Sequence, residues 1–254
     1  ESFGGISVDS AVQISESALA RVHIIVRTPD GTQPRVNVQK IEAELAQLLV
    51  TWADRLQAEL VGTFGSEEGE ALFKSYGNMF PAGSQADTTP KEACGDIRAI
   101  DDMLRNGVDR SVDLYASDNL GPGDMRFIVY SVDEPIALSD ALPILEDMGA
   151  SVHTEHPYEA TLPDGRSLWI QDFHLRHESG EAVDAEAVSD RFEECFMAVL
   201  DGRAENDGLN RLIVPAYLNW REVALVRCYA KHIQQLGVPF SQAYMEDVLV
   251  AHAD

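Results

Sequence analysis

The pattern of hydrophobic and polar positions in the first sixty residues predicts one strand followed by one long helix. The opening stretch to about Ser17 is polar and only weakly periodic, whereas residues 19–27 are typical of a strand that ends at the turn signal Pro29-Asp30-Gly31. From Asn37 the apolar period lengthens to three or four residues, which indicates one helix of about six turns. Its apolar stripe consists of Ile41, Leu45, Leu48, Trp52, Leu56 and Leu60. A strand with a long helix is half of a small α/β sandwich.

The next segment is predicted to be a helical connector. Thr89-Pro90-Lys91-Glu92 combines an N-cap threonine, a proline at the first helical position and a glutamate three residues after the cap. This capping box predicts a helix that begins at Pro90, runs toward Arg105 and ends at Asn106-Gly107.

A second α/β unit follows the connector. Residues 111–116 and 125–132 are strand-like and flank a loop rich in glycine and aspartate, which indicates antiparallel strands. A leucine-rich helical stripe over 137–149 precedes a hairpin of residues 151–160 and 167–176. Asp184 then caps a helix whose buried face is predicted to be Val188, Phe192, Cys195, Phe196 and Val199. The order from Met125 is therefore β-α-β-β-α.

The remainder of the chain has only helical periodicity. Residues 209–220, 221–236 and 241–251 are each predicted to be helical, the last of them after Pro239. This end of the chain is predicted to be an all-helical module with no further sheet.

Composition narrows the class of protein. The chain has 19 Lys and Arg against 43 Asp and Glu, a formal net charge of −24, so we expect no nucleic-acid partner, because such partners are held by basic groups. No apolar run is long enough to span a bilayer and the first residues do not resemble a signal peptide, so we expect no membrane association and a cytoplasmic location. The three cysteines are not in a CxxC motif and are expected to be reduced and buried. The start at Glu1 rather than Met is expected of a segment cut from a longer chain.

Motifs for catalysis and cofactor binding are not found in the sequence. It contains no GxGxxG, Walker, HExxH or GxSxG motif, so we predict no catalytic and no cofactor-binding residues. The acidic residues Glu193-Glu194, Asp201, Glu205 and Asp207 are interpreted as solvated helix surface.

Histidines and carboxylates concentrate on the predicted hairpin. If the strands pair, His153 and Glu155 could lie near Asp172 and His174, as ligands of a metal would. The favoured interpretation is a solvated polar face with no metal, because neither a helical histidine pair nor a cysteine supports the site. A metal-binding module remains a weaker alternative.

The loop between residues 131 and 136 differs from the other loops. Backbone N–H groups at a helix start can hold a carboxylate, and this loop joins a strand to a helix start. Asp133, Glu134 and Pro135 are therefore candidate residues for binding an effector, and a plain connector is the alternative.

Several runs of sequence, taken in order, resemble the large bacterial NAD-dependent glutamate dehydrogenases. They lie between Met125 and Val250, with looser similarity in 20–60 and 76–104. The runs are 135–149 (PIALSDALPILEDMG), 155–158 (EHPY), 169–173 (WIQDF), 202–212 (GRAENDGLNRL), 219–231 (NWREVALVRCYAK) and 240–244 (FSQAY).

The resemblance implies a non-catalytic region with ACT-like units and helical motifs, ahead of a catalytic domain that binds NAD. The fold class is then α+β, with ferredoxin-like βαββαβ sandwich units and antiparallel sheets, followed by the helical module. Residues 1–62 would end a first ACT-like unit, 63–109 would connect, 110–202 would form the second unit, and 203–254 the module. The sixth element of the second unit could be 209–215 or 111–116.

The function implied is assembly and regulation of the parent enzyme, which oxidatively deaminates L-glutamate to 2-oxoglutarate and ammonium. This segment alone is expected to be inactive and to hold no cofactor, with NAD bound elsewhere in the parent. Its expected partners are the rest of its own polypeptide, further copies in a homo-oligomer and an amino-acid effector. A ligand-free scaffold that spaces subunits is the alternative, and an independent small enzyme is the weakest hypothesis.

Overall fold

The computed structural model describes residues 7–14, 20–29, 37–41, 50–116, 121, 123–180 and 182–253. The chain forms two compact units, residues 1–55 and 56–254. None of the helices in these described ranges is long and apolar enough to cross a membrane.

The first unit contains an antiparallel pair of strands, of which the sequence predicted only the second. Strand β1 (Ser7–Ile14) pairs along its whole length with β2 (Ala20–Arg27). The polar and weakly periodic opening stretch was not predicted to be a strand, which was wrong: Val8, Val12 and Ile14 fall on alternate positions with the polar Asp9 and Gln13 between them, which is the period of a strand. That alternation is the signal that was missed.

The single long helix predicted after Asn37 is also wrong. Residues 38–41 are helical, but Val50 and Thr51 are not, and helix α1 begins at Trp52 and ends at Phe64. The Thr51 N–H and hydroxyl both donate to the Asp54 carboxylate, and the Asp54 N–H donates back to the Thr51 hydroxyl. This reciprocal cap starts a new helix within the apolar stripe. The part of the prediction over 42–49 lies outside the described residues.

Three further helices follow, and the predicted cap of the longest is confirmed. They are α2 (Ser66–Tyr76), α3 (Ala82–Asp87) and α4 (Pro90–Arg105). The Glu92 N–H donates to the Thr89 hydroxyl while the Glu92 carboxylate accepts the Thr89 N–H, with Pro90 in the first turn. Asn106 and Gly107, the latter at φ 67°, end the helix as predicted.

The second unit contains a four-stranded antiparallel sheet with two helices interleaved. Its elements are β3 (Arg110–Tyr115), β4 (Asp124–Val132), α5 (Leu138–Asp147), β5 (Ala150–Thr161), β6 (Ser167–His177) and α6 (Ala185–Leu200). The strand order is β3-β4-β6-β5, with all neighbours antiparallel. This is the order of a ferredoxin-like unit in which β3 occupies the place of the last strand. The sixth element is therefore the 111–116 stretch, which precedes the others in sequence.

One face of this sheet packs on helices α5 and α6 around a cluster of phenylalanines. The Phe127 ring lies 4.8 Å from that of Phe196 and 5.6 Å from that of Phe192, both in edge-to-face geometry. All three side chains are fully buried, as is Cys195. The buried face predicted for the helix after Asp184 is thus confirmed for these residues.

The other face of the sheet is covered too, although the sequence predicted a solvated polar surface there. Leu168, Ile170 and Asp172 are at most 6% exposed. Helix α4 lies on this side of the sheet, where the Tyr130 hydroxyl donates to the Asp96 carboxylate at 2.6 Å. The alternation of strand residues showed two faces but could not show that the connector covers the second one.

An arginine anchors this second layer to the sheet. The Arg126 guanidinium on β4 pairs with Asp172 on β6 and donates to the Glu92 carboxylate on α4 at 3.1 Å. Further tyrosine–aspartate hydrogen bonds join Tyr158 to Asp87 across β5 and α3. The bonds to Glu92 and Asp87 each link a strand to a helix of the connector, and the Arg126–Asp172 pair joins two neighbouring strands.

The last part of the described chain is a helical module with a buried ion pair at its centre. A 3-10 helix (Gly208–Ile213) precedes α7 (Trp220–Gln235) and α8 (Gln242–Ala251). Arg227 is 4% exposed, and its guanidinium donates to both carboxylate oxygens of Asp207 at 2.7 and 2.8 Å, and to the amide oxygen of Asn210 at 2.9 Å. Asp207 also accepts the N–H of Leu209 and so caps the 3-10 helix. The interpretation of Asp207 as solvated surface was therefore wrong.

Asp207→Asn is expected to destabilise the chain by about 3–5 kcal/mol, because it leaves the buried charge of Arg227 uncompensated while keeping the size of the side chain. Asp201→Asn is the matched control, since the Asp201–Arg203 pair is exposed and such pairs contribute less than about 1 kcal/mol. Urea denaturation of both variants measures the difference. Equal losses in the two variants would contradict a special role for the buried pair.

The buried carboxyl of Asp96 makes stability depend on pH. Burial raises the pKa of Asp96 to about 7, against the opposing effects of the Tyr130 hydrogen bond and of Arg126. Between the unfolded pKa, about 3.9, and this value the folded chain holds the extra proton, so stability falls as pH rises through this window. Asp96→Asn is expected to remove part of that fall, whereas the exposed Asp140→Asn is expected to leave it unchanged. Urea midpoints measured from pH 4 to pH 8 check this, and parallel curves for Asp96→Asn and the unmodified chain would refute it.

Candidate effector loop

The loop that joins β4 to α5 is held by backbone hydrogen bonds on the sheet. Asp133 has φ 67°, a left-handed conformation that few residues other than glycine adopt. Its N–H donates to the Ser167 carbonyl at 2.9 Å, and the Glu134 N–H donates to the Val132 carbonyl at 2.9 Å. The chain therefore turns sharply at the end of the strand.

A buried glutamine fixes the second half of this loop. Gln171 on β6 is 3% exposed, and its amide oxygen accepts the Ile136 N–H at 2.8 Å while its amide nitrogen donates to the Ile136 carbonyl at 3.0 Å. The same nitrogen also donates to the Glu155 carboxylate at 3.3 Å. Sequence reasoning missed this clamp, although a glutamine within an apolar strand was a visible signal.

The structure places the three candidate effector residues together at the tip of the loop. The side chains of Asp133, Glu134 and Pro135 are all exposed. Helix α5 then begins at Leu138, and its N-cap, Ala137, has no side chain that can cap it. The first N–H groups of such a helix are left for solvent or a ligand. In contrast, the N–H groups of Asp133, Glu134 and Ile136 already donate within the chain.

The predicted histidine cluster is only partly brought together. The rings of His153 and His174 lie 5.4 Å apart, and His174 Nε2 is 3.6 Å from the Asp124 carboxylate. A β-bulge between Val152 and Thr154 shifts the register, so Glu155 pairs with Phe173 on the opposite face from His174. Within the described residues no three His, Cys, Asp or Glu side chains are grouped as metal ligands would be.

The cysteine thiols differ in their burial. Burial raises the pKa of the Cys195 thiol to about 12, which leaves it protonated and unreactive. Cys228 is exposed, so its predicted burial was wrong. The buried face of α7 is formed by Val223, Arg227 and Ala230, and Cys228 lies beside that face.

Glu193 is also less exposed than the sequence suggested. Its carboxylate accepts the N–H of Leu114 on the edge strand β3 at 2.9 Å. Burial raises the pKa of Glu193 to about 7, against the effect of that hydrogen bond. Its neighbour Glu194 is exposed, as predicted.

Gln171→Leu is expected to destabilise the chain by about 1–3 kcal/mol for each buried Ile136 group left without a partner. Glu134→Gln, an exposed change in the same loop, is the control and is expected to have little effect. Urea denaturation gives the stabilities, and hydrogen exchange at the Ile136 amide reports the loop directly. Unchanged exchange at that amide in Gln171→Leu would show that the clamp does not hold the loop.

Comparison with protein families gives four matches along the chain. Residues 1–53 match the family described as "Glutamate dehydrogenase, ACT2 domain", and 59–103 match its helical motif 2. Residues 109–188 match the ACT3 domain, and 204–254 match helical motif 3.

Curated relatives agree with these matches. The NAD-specific glutamate dehydrogenase of Pseudomonas aeruginosa is 33% identical over 242 residues, 94% of this chain. Those of Halomonas elongata and Mycobacterium tuberculosis are each 32% identical, over 97% and 98% of this chain. The chain spans only 15–16% of the length of these relatives. It belongs to the glutamate dehydrogenase family and comprises ACT and helical-motif domains of that family.

Proposed function

We propose that this chain is a regulatory and subunit-assembly segment of a cytoplasmic NAD-specific glutamate dehydrogenase. The parent reaction would convert L-glutamate, NAD and water to 2-oxoglutarate, ammonium and NADH. Its partners are then the remainder of its own polypeptide, further copies in a homo-oligomer and an amino-acid effector. No cofactor binds to the segment itself, and NAD binds in the catalytic domain.

The observation that carries this proposal is an ACT-type sheet with no catalytic motif beside it. None of the 254 residues forms a nucleotide-binding glycine motif. The relatives are more than six times as long as the segment they share with this chain, which leaves ample room for a catalytic domain elsewhere. ACT-like units that accompany an enzyme serve to join subunits and to bind effectors, and regulation of this kind couples two separate sites.

The effector would bind at the exposed tip of the β4–α5 loop. A helix start without a side-chain cap presents N–H donors and a partial positive charge, which favour a carboxylate. The Asp133 and Glu134 carboxylates beside it provide acceptors for an ammonium group. The clamp at Gln171 would hold these groups in place before the ligand arrives.

A ligand-free scaffold is the second candidate, and one observation favours it. The N–H groups of Asp133, Glu134 and Ile136 are all donated within the chain, so the loop itself offers few donors to a ligand. A scaffold would have the same fold and no response to small molecules.

A thermal-unfolding screen of the chain against amino acids, 2-oxoglutarate and NAD separates the two candidates. One amino acid is expected to give a saturable stabilisation, of about 2.7 kcal/mol at a hundred times its Kd, and NAD is expected to give none. The double variant Asp133→Ala/Glu134→Ala is expected to lose the response, whereas Glu186→Ala, an exposed acid in the first turn of α6, is expected to keep it.

Three results would count against the proposal. A response to NAD would contradict a cofactor-free segment, and no response to any amino acid would favour the scaffold. In the full-length enzyme, deletion of residues 19–202 is expected to abolish assembly and effector control together. An enzyme that retained both after the deletion would exclude the regulatory role.

A further inference from the structure

A cleft separate from the effector loop lies where the ACT3 sheet meets the helical module. Its walls are the start of β3, the last two turns of α6, the loop after α6 and the first turn of α7. The volume is about 410 Å³, within the range of roughly 300–1,000 Å³ found for small-molecule sites. The side chains that matter for its chemistry are Arg110, Glu193, Glu194, Arg203, Trp220 and Arg221.

Guanidinium groups are concentrated in this cleft, in a chain whose formal net charge is −24. Elsewhere acidic groups meet most of the arginines, as Asp207 meets Arg227 and Asp124 meets Arg176. Among the described residues, neither Arg110 nor Arg221 has a carboxylate within 4 Å. Because basic residues are scarce in this chain, it is unusual for one cleft to contain two guanidinium groups that have no carboxylate partner.

Of these two arginines, Arg110 provides the stronger evidence for a ligand. Its Nε is buried and has no hydrogen-bond partner within the described part of the chain. A buried N–H of a charged group without an acceptor is costly, and in native structures such a group usually has a partner, which is a protein group, a water molecule or a ligand. An acceptor supplied by a ligand would remove that cost.

The aromatic wall of the cleft positions the second guanidinium. The Arg221 guanidinium carbon lies 4.2 Å from the centre of the Trp220 ring, and that of Arg203 lies 5.6 Å from it. Stacking on an indole restrains the arginine without using its N–H donors, which stay available to a carboxylate. Arg203 differs, because it already donates to Asp201.

We propose that this cleft binds a small organic acid, whose carboxylate accepts hydrogen bonds from Arg110 and Arg221 and whose carbon chain lies against Trp220. Paired N–H donors on planar guanidinium groups match the geometry of a carboxylate. Glu193 and Glu194 on the facing wall supply acceptors if the acid also carries an ammonium group. Binding itself does not depend on the proposed function, although its use in regulation does.

Isothermal titration calorimetry of the 254-residue chain tests this, with L-glutamate, 2-oxoglutarate and succinate as probes and inorganic phosphate as an anion without a carboxylate. At least one of the three acids is expected to bind saturably, and Arg110→Gln and Arg221→Gln are each expected to weaken that binding at least tenfold. Arg191→Gln is the matched control: Arg191 lies on α6 outside the cleft and donates to the Ala187 carbonyl.

The relative affinities of the probes identify the chemical class of the ligand. Tighter binding of L-glutamate than of succinate and 2-oxoglutarate identifies the ligand as an amino acid, and the reverse order identifies an acid without an amino group. Circular dichroism and urea midpoints check that Arg110→Gln still folds, and the exposed Arg221→Gln tests the site independently of that variant.

The proposal is overturned if none of the acids binds at millimolar concentration, if phosphate binds as tightly as they do, or if Arg191→Gln weakens binding as much as Arg221→Gln. These outcomes are distinct from failure of the effector loop. A response that Asp133→Ala/Glu134→Ala abolishes and Arg221→Gln leaves intact belongs to the loop, and the opposite pattern belongs to the cleft.

Discussion

The four-stranded sheet of the second unit must bury both of its faces, and the surrounding helices are arranged to meet that requirement. Strand β4 shows it most clearly, since Phe127 and Val129 enter the core beneath α5 and α6 while Ile128 and Tyr130 are buried on the other face. An antiparallel sheet usually leaves one face to water. Here helical motif 2 is joined to the buried second face of the ACT3 sheet by hydrogen bonds, so the connector is part of the folded structure of this unit.

The second face is polar as well as buried, and that combination makes the packing specific. Apolar contacts tolerate a helix that slides by a residue, whereas a hydrogen bond such as Tyr130–Asp96 at 2.6 Å does not. Arg126 adds a three-way contact with Asp172 and Glu92, so one side chain joins two strands to α4. The same Glu92 completes the capping box of α4, and the start of that helix is thereby tied to the sheet.

Sequence reasoning succeeded where the signal is local. The capping box at Thr89, the cap at Asp184 and the hairpin of residues 151–160 and 167–176 each depend on residues close to one another in sequence, and each is present. Two failures were also local, namely the strand period of β1 and the Thr51–Asp54 cap, whereas the others involve interactions between distant residues. The bulge in β5 moved Glu155 away from the histidines, and the clamp between Gln171 and Ile136 spans 35 residues. The edge position of β3 likewise depends on pairing with β4, which periodicity cannot show.

The candidate effector loop was proposed from sequence because a strand–loop–helix start is itself a local pattern, whereas the arginine cleft was not. Its walls come from residues 110 and 221, which only the tertiary structure brings together. Helix α7 connects the cleft to the rest of the module. Trp220 forms part of the wall, Val223 one turn later is fully buried in the core, and Arg227 reaches Asp207. Because these residues lie on one rigid helix, a ligand that holds Trp220 would also hold the register in which Arg227 meets its partner, and binding would stabilise the junction between the ACT3 domain and the helical module.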